Sequence, residues 1–279
     1  MIIHFSCGAT SAIAGAIALK TDPNAEIIYA DTGAEHPDNA RFLRDCEDKL
    51  FHKPVTILKH PDYKDLYDLL ERRNNISFRT GAECTTKLKK ETIRDYLGDR
   101  LLTEKHVYGF DTGELPRIEL YKNNNPEIQL SLPLIDHGLS KSNCLALLQR
   151  FGIEIPEMYK LGYEHSNCIG CVKARDSIRY WEAIRQDFPD VFNWMAKHER
   201  RVGAKDDTGK PKGFCINRRT IKGERVKQWL DEWPEGIEPK RDLEISCGYS
   251  CGTIGDMIEG RTAPTTEKTD LDSIFGWLQ

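Results

Sequence analysis

Apolar and polar residues follow distinct rhythms along this chain. Ile2 and Ile3 open a short apolar run that leads into a loop of small residues, Ser6-Cys7-Gly8-Ala9-Thr10-Ser11. Residues 12–19 are alanine-rich and uncharged before Lys20, as a buried helix requires. Asp22-Pro23-Asn24 interrupts them, and residues 26–30 read as a second strand that ends in Asp31-Thr32-Gly33. Strand, loop, helix and strand make a βαβ unit, which predicts a parallel sheet with a right-handed crossover. Phe42, Leu43, Cys46, Leu50 and Phe51 recur at helical spacing within residues 35–53. Residues 54–58 predict a third strand and 65–73 a helix, with 74–81 as an exposed turn or loop. A basic helix follows Cys84 and runs to Leu97. Residues 105–110 predict another strand. Residues 130–135, interrupted by Pro133, read as an edge strand or a loop, and 141–151 as a helix. Residues 177–198 carry Tyr180, Trp181, Phe188, Phe192 and Trp194 and predict two helices broken at Asp187-Phe188-Pro189. The tail beyond about residue 260 is polar and threonine-rich, with residues 274–278 able to dock.

The bulk properties narrow this picture. A chain of 279 residues can bury a substantial core, and the pattern fits one large α/β unit over residues 1–175 with an appended unit over 176–279. A charged fraction of 30% and a mean hydropathy of −0.56 fit a soluble globular protein. The net charge of −4 excludes a global polycation. No apolar run approaches a membrane span, and no charged-then-apolar leader opens the sequence, so the expected setting is cytoplasmic, without a membrane partner. Nine cysteines in such a setting favour metal ligands or reactive thiols over a disulfide framework.

Candidate chemistry begins at the loop. Unpaired backbone N–H groups and the positive end of a helix dipole favour phosphate or sulfate there. Gly8 allows close approach, while Ser6, Thr10 and Ser11 add hydroxyl donors. Asp31 and Thr32 lie at the carboxyl end of the neighbouring strand, where α/β sheets bind nucleotides. The plain alternative is an ordinary βα turn.

Ser-Cys-Gly-Ala-Thr-Ser resembles the PP-loop of the adenine-nucleotide alpha-hydrolase superfamily. Tyr29-Ala30-Asp31-Thr32-Gly33, followed by His36-Pro37 and Phe42, resembles the second motif of the phosphoadenosine phosphosulfate (PAPS) reductase family. Thr10 stands where the ATP-pyrophosphatase pattern has Asp, which brings the loop nearer the reductase branch. The resemblance covers roughly residues 1–175. It implies a parallel α/β sheet with helices on both faces, plus a C-terminal helical, cysteine-bearing extension. It also implies an adenine nucleotide (ATP, APS or PAPS) at Ser6, Cys7, Gly8, Ala9, Thr10, Ser11, Asp31, Thr32 and Gly33. Gly109-Phe110-Asp111, with Glu114 and Arg117 downstream, resembles a third nucleotide-side segment. Read without the resemblance, that stretch is a strand followed by a solvated loop.

The cysteines carry the second set of signals. Cys168-Ile169-Gly170-Cys171 is a C-x-x-C whose spacing lets two thiolates face one metal, and Cys247 and Cys251 form a second close pair. Structural zinc, a redox dithiol and small core residues are the alternatives. Cys7, Cys46, Cys144 and Cys215 fit the core reading best. The segment from Pro156 through Tyr159 and Gly162-Tyr163 into Cys168 is similar to the family's approach to its C-x-x-C. Cys84, five residues before Lys89, resembles the upstream ligand segment of the iron–sulfur APS reductases, in which a second cysteine stands where this chain has Thr85. The resemblance therefore implies Cys84, Cys168 and Cys171 as ligands of a [4Fe–4S] cluster, with zinc as the alternative, and Cys247 or Cys251 as the fourth ligand. Cys247-Gly248 also resembles the reductases' nucleophilic Cys-Gly, although Ser246 replaces the family's Glu. The roles of Cys247 and Cys251, ligand or nucleophile, stay open. Lys89, with Lys87 and Lys90, is a candidate phosphate or sulfate contact, each being otherwise a solvated helix lysine.

Among the eight histidines only His36 stands near a motif. Residues 197–227 hold eleven lysines and arginines against four acidic residues, a pattern able to grip a nucleic-acid backbone with Trp229 or Tyr180 as a stacking surface. Residues 231–238 are acidic and largely cancel it. Three functional readings follow. The leading one is a sulfonucleotide reductase served by an electron donor protein. The second is an ATP-dependent enzyme that thiolates a nucleobase or nucleic acid, served by a sulfur donor. The third is a non-catalytic nucleotide-binding module with structural zinc.

Overall fold

The computed structural model describes residues 1–76, 82–174, 178–203, 216–221, 224–233, 236–241 and 271–279. Five strands form one parallel sheet in the order β3-β2-β1-β4-β5: β1 Ile2–Phe5, β2 Glu26–Ala30, β3 Thr56–Leu58, β4 Lys105–Val107 and β5 Gln129–Ser131. The chain moves from β1 to β2 on one side and later returns to place β4 on the other. A topological switch point therefore falls between β1 and β4, the place where open α/β sheets bind ligands.

Alternation along β1 sets the two faces. Ile3 and Phe5 join Ile27, Tyr29, Phe42 and Phe51 in the larger core, while Ile2 packs with Ile28, Leu58 and Leu97 on the other face. Helix α1, Ala9–Thr21, is buried from Ala9 to Ala18 apart from Thr10, which explains its small, uncharged residues. Helix α2, Asn39–Cys46, continues into a π-helical turn, Glu47–Phe51, and α3 spans Leu66–Arg72. A second π-helical turn, Thr85–Glu91, runs into α4, Thr92–Leu97, and α5 is Arg100–Thr103. Helix α6, Leu115–Asn124, occupies the stretch read from sequence alone as a solvated loop. Asp111 and Glu114 form a capping box just ahead of it, a device that ends one element and starts the next. Helices α7 Pro133–Asp136, α8 Lys141–Arg150 and α9 Glu157–Lys160 complete the first unit. Residues 129–131 form the edge strand, and Pro133 begins α7.

Beyond residue 175, α10 Ile178–Asp187 and α11 Pro189–Val202 break at Phe188 as expected. An antiparallel hairpin, β6 Asn217–Ile221 with β7 Glu224–Gln228, makes the extension only partly helical. A second core joins the two units: Trp181, Ile184, Phe192 and Met195 pack with Leu66, Leu69, Leu88 and Ile169. The C-terminal helix α12, Leu271–Leu278, seats Leu271 and Leu278 in the larger core beside α1 and α8. Among the described residues no helix is long and apolar enough to cross a membrane.

One polar pair sits inside the sheet. His106 Nε2–H donates to the Leu101 carbonyl (3.0 Å), so its Nδ1 accepts from His4 Nε2 (2.8 Å), and the His4 ring stacks on Tyr108 at 4.3 Å. Burial, reinforced by His106, pushes the His4 pKa down to about 3, and burial also lowers that of His106. Both rings therefore fold neutral, and their contribution to stability is present above the unfolded pKa near 6.5 and lost as pH falls below it. Each adds up to about 1.4 kcal/mol per pH unit to the slope. Urea unfolding at pH 5, 6.5 and 8 checks this: the deficit of His4→Gln against wild type should shrink from pH 8 to pH 5. A deficit independent of pH would remove the paired-neutral account.

Candidate functional site

The loop after β1 is built from its own hydroxyls. Ser11 Oγ donates to the Gly8 carbonyl (3.0 Å) and accepts from the Ser6 backbone N–H (3.1 Å) and Ser6 Oγ (3.0 Å). Ser11 thus holds the loop from within, leaving Ser6 exposed and Thr10 half-buried on the outside. Cys7 has a left-handed backbone (φ 53°), and its thiol turns into the core, where burial and then the Glu35 carboxylate raise its pKa far above the usual thiol range. The Tyr159 hydroxyl caps the loop. It accepts backbone hydrogen bonds from Ala9 and Ser166, lies over Gly8 and carries the Lys141 ammonium above its ring at 5.1 Å. Burial pushes its pKa up to about 12.

Both neighbouring strand ends meet this loop. A Cβ on Gly109 would stand 2.6 Å from the Ser11 backbone nitrogen and Cα, so only glycine lets the end of β4 lie against the first turn of α1. The Phe110 ring is buried against Tyr108 and Tyr121, under the Arg117 guanidinium (5.0 Å). At the end of β2, the Asp31 carboxylate accepts from the Gly33 N–H (2.8 Å) and pairs with Lys59 (3.0 Å).

The same β2 end reaches the cysteines. Thr32 Oγ1 lies 3.0 Å from Cys168 Sγ, and the Ile169 N–H donates to the Ala34 carbonyl (2.8 Å). Tyr67 donates to the Ile169 carbonyl and Tyr180 Oη receives the Cys171 N–H, both at 3.0 Å. Gly170 turns the C-x-x-C with φ +69°, and a Cβ there would strike Val191 at 2.9 Å. The π-helical turn supplies the third thiol. In an α-helix, residues five apart lie about 1.4 turns round and face different ways, whereas a π turn closes residue i onto i+5. Cys84 and Lys89 therefore come within electrostatic reach of each other. Partial burial would lower the Lys89 pKa, but Cys168, Glu35, Cys171 and Cys84 hold it above the usual value. Burial raises the Cys168 and Cys84 thiols, with Glu35 adding to the rise of Cys168 and Cys171 to that of Cys84.

Lys89 thus faces the cysteines. Lys87 pairs with Glu91 (2.9 Å), and Lys90 is exposed. Cys7, Cys46 and Cys144 are buried in the larger core. Cys215, Cys247 and Cys251 lie outside the described residues. Among the described residues, no three His, Cys, Asp or Glu side chains stand close enough to hold a single metal ion. A cleft of about 330 Å³ opens beside Cys171, walled by Tyr163 and Tyr180 and rimmed by His165, Lys173 and Lys240. In the basic segment, Arg200 pairs with Asp231 and Glu232 (2.7 Å each) and Arg201 with Glu71 (3.1 Å), so part of its charge is neutralised locally. His36 packs against Phe188, and its Nδ1 accepts from the Asp38 N–H. Sequence reasoning did not single out Glu35. Its carboxylate Oε2 accepts from the Thr32 and Ala34 N–H groups (3.2 Å each), and its only signal was its place two residues after Asp31-Thr32-Gly33.

Comparison with known proteins adds the family. The phosphoadenosine phosphosulfate reductase domain model matches residues 1–176. An uncharacterized protein of Methanocaldococcus jannaschii is 23% identical, with the match covering 73% of this chain and 48% of that protein. An uncharacterized 37.8 kDa protein of Escherichia phage 186 is 21% identical over 98% of this chain and 95% of its own length. The chain thus spans about half of the first relative and nearly all of the second. The crystal structure of phosphoadenylyl-sulfate (PAPS) reductase from Candida auris in a phosphate complex superposes with a TM-score of 0.45 at 12% identity, covering 58% of this chain and 78% of that one.

The capped loop makes a measurable prediction. Tyr159→Phe leaves the Ala9 and Ser166 N–H groups without their acceptor, which should cost about 1–3 kcal/mol of stability. If an anion seated on the loop takes over the Ala9 N–H, ATP should raise the melting temperature of the variant by more than that of wild type. Equal ATP-induced shifts would show that ATP does not use this N–H.

Proposed function

The chain belongs to the phosphoadenosine phosphosulfate reductase domain family, and we propose that it is an enzyme acting on an adenine sulfonucleotide through cysteine-dependent sulfur chemistry. The observation that carries this reading is the shared wall between the two halves of the site. Asp31-Thr32-Gly33 belongs to the nucleotide motif, and the same turn, through Thr32, Ala34 and Glu35, holds the C-x-x-C. A nucleotide resting its anionic group on residues 6–11 would point its far end toward the cleft beside Cys171.

In this reading the thiolate of Cys247 or Cys251 attacks the sulfur of the sulfonucleotide. The bond from sulfur to the bridging phosphate oxygen breaks, and the nucleotide leaves as its phosphate. The cysteine then carries the sulfonate. A dithiol donor protein attacks the cysteine sulfur and is itself oxidised to a disulfide, and sulfite departs with the electron pair. Lys89, Lys173 and the amino end of α1 are the cationic groups available to steady the developing charge. Arg241 supports a role for the following segment. It pairs with Asp187, donates to the Leu161 carbonyl (3.1 Å) and lies over the ring of Tyr163, which walls the cleft. Cys247 is six residues on, within about 21 Å of extended chain.

Cys84, Cys168 and Cys171 would hold a metal centre, and their chemistry fits thiolate ligation with Lys89 as counter-charge. All-thiolate ligation in a protein of this family is the ground for preferring [4Fe–4S] over zinc. When bound, the cluster supplies fixed charge and polarisation beside the sulfur-bearing end of the substrate. Transfer of sulfur to a nucleic acid draws on residues 197–227, where the pairing of Arg200 and Arg201 with acidic side chains weakens its support.

Anaerobic purification followed by iron, sulfide and zinc analysis tests the metal reading. A brown protein with about four irons and four sulfides per chain is expected, and Cys84→Ser, Cys168→Ser and Cys171→Ser should each lose more than half of them. One zinc without iron, or full iron in Cys168→Ser, would overturn it. Sulfite release from a sulfonucleotide with a dithiol reductant, set against ATP as control, tests the reaction.

A further inference from the structure

We propose that the β6–β7 hairpin is a docking ribbon for double-stranded DNA, gripping the phosphate backbone through one basic face. The proposal concerns binding alone and needs no step of the sulfur chemistry above. Residues 217–228 hold five lysines and arginines against one acidic residue, Glu224. The register of the strands sorts them. Arg218 stands directly opposite Lys227, and Thr220 opposite Arg225. Residues opposite one another share a face of the ribbon, as do positions two apart on one strand. Arg218, Thr220, Arg225 and Lys227 therefore make up one face, and Lys222 and Gly223 stand between the strands in sequence. Like charges directly opposite in a ladder are destabilising. A polyanion laid along this face removes that cost.

The ribbon is held at its base. Glu199 on α11 is fully buried, and its carboxylate accepts the Ile216 N–H (2.5 Å) on Oε1 and the Leu230 N–H (2.8 Å) on Oε2. One side chain thus fixes both ends of a hairpin that would be marginal alone. Beyond that base, among the described residues, no other element packs extensively on β6 or β7. The acidic residues that follow in sequence are engaged elsewhere: Asp231 and Glu232 pair with Arg200, and Glu238 with Arg179. The stretch that cancels the basic segment on paper is therefore drawn to α10 and α11.

The aromatic residues point to a duplex. Proteins that bind single strands offer rings on which bases stack. The Trp229 ring lies against Gly203, where a Cβ would stand 2.1 Å from it, and under the Arg200 guanidinium at 4.8 Å. The Tyr180 hydroxyl receives the Cys171 N–H, and its ring meets Trp181 edge-on. Both rings are engaged within the protein. Two five-residue strands make a ribbon about 17 Å long, and the major groove of DNA, about 12 Å wide, admits such a ribbon.

Fluorescence anisotropy of the full-length protein with a labelled DNA duplex of about 20 base pairs, in 50 and 200 mM NaCl, tests this. Three to five phosphate contacts should weaken binding by about 40- to 500-fold across that range. Arg218→Gln combined with Lys227→Gln should weaken binding at least tenfold in 50 mM NaCl and reduce the salt slope by about two. Its melting temperature should stay at or above that of wild type, because the opposed charges are gone. Lys20→Gln combined with Lys122→Gln, on α1 and α6, should leave affinity and slope unchanged. No binding in 50 mM NaCl, wild-type affinity and slope in the hairpin variant, or equal weakening by the α1 and α6 variant would overturn the proposal. So would tighter binding of a single strand of the same length, or displacement of the duplex by phosphatidylserine vesicles as effective as that by unlabelled duplex.

Discussion

A single backbone hydrogen bond, from the Ile169 N–H to the Ala34 carbonyl, fastens the cysteine turn to the end of β2. Much of the site's geometry depends on it. The bond makes Ile169 a short extension of the nucleotide-side turn, and Cys168 then falls against Thr32 and Glu35. Tyr67 and Tyr180 close the same turn from two other elements, so neither thiol of the C-x-x-C hangs on a free loop. The switch point between β1 and β4 supplies the other boundary, where Gly109 lets the chain after β4 lie against the first turn of α1.

The extension is part of this construction. Its aromatic residues fill a core shared with α3, the π-helical turn and the C-x-x-C, so the residues that position the thiols are buried by residues more than a hundred positions away for α3. The division near residue 175 separates composition and family match, while the packing runs across it. The tail helix α12 likewise returns to α1, the element on which the loop is mounted.

The parallel sheet, the buried α1 and the break at Phe188 were legible because each is written in a local rhythm: apolar runs, uncharged alanines, a proline after a polar stop. The core placement of Cys46 and Cys144 was legible for the same reason, and that of Cys7 from its having no partner cysteine nearby in sequence. Helix α6 was not, because its apolar residues are sparse and Leu115 and Leu120 face outward; its start is announced only by the Asp111–Glu114 capping box. The hairpin β6–β7 hides in a stretch whose charge overwhelms any alternation. The grouping of Cys84, Cys168 and Cys171 entered through resemblance, since nothing in their spacing says that positions eighty residues apart share a wall. Glu35 and the capping role of Tyr159 belong to tertiary structure alone: one is a carboxylate that only the fold brings against Cys168, the other a tyrosine that packing seats against a loop 150 residues earlier.

The π-helical turn at Thr85–Glu91 carries a consequence of its own. Such a turn holds one residue more than the α-helix it interrupts, so what it encodes is length. Removing one residue between Cys84 and Lys89 would leave both side chains in the chain while turning the thiol and the ammonium to different faces. Among relatives of this chain, an alignment gap of one in this segment therefore says more about the cysteine site than any substitution within it.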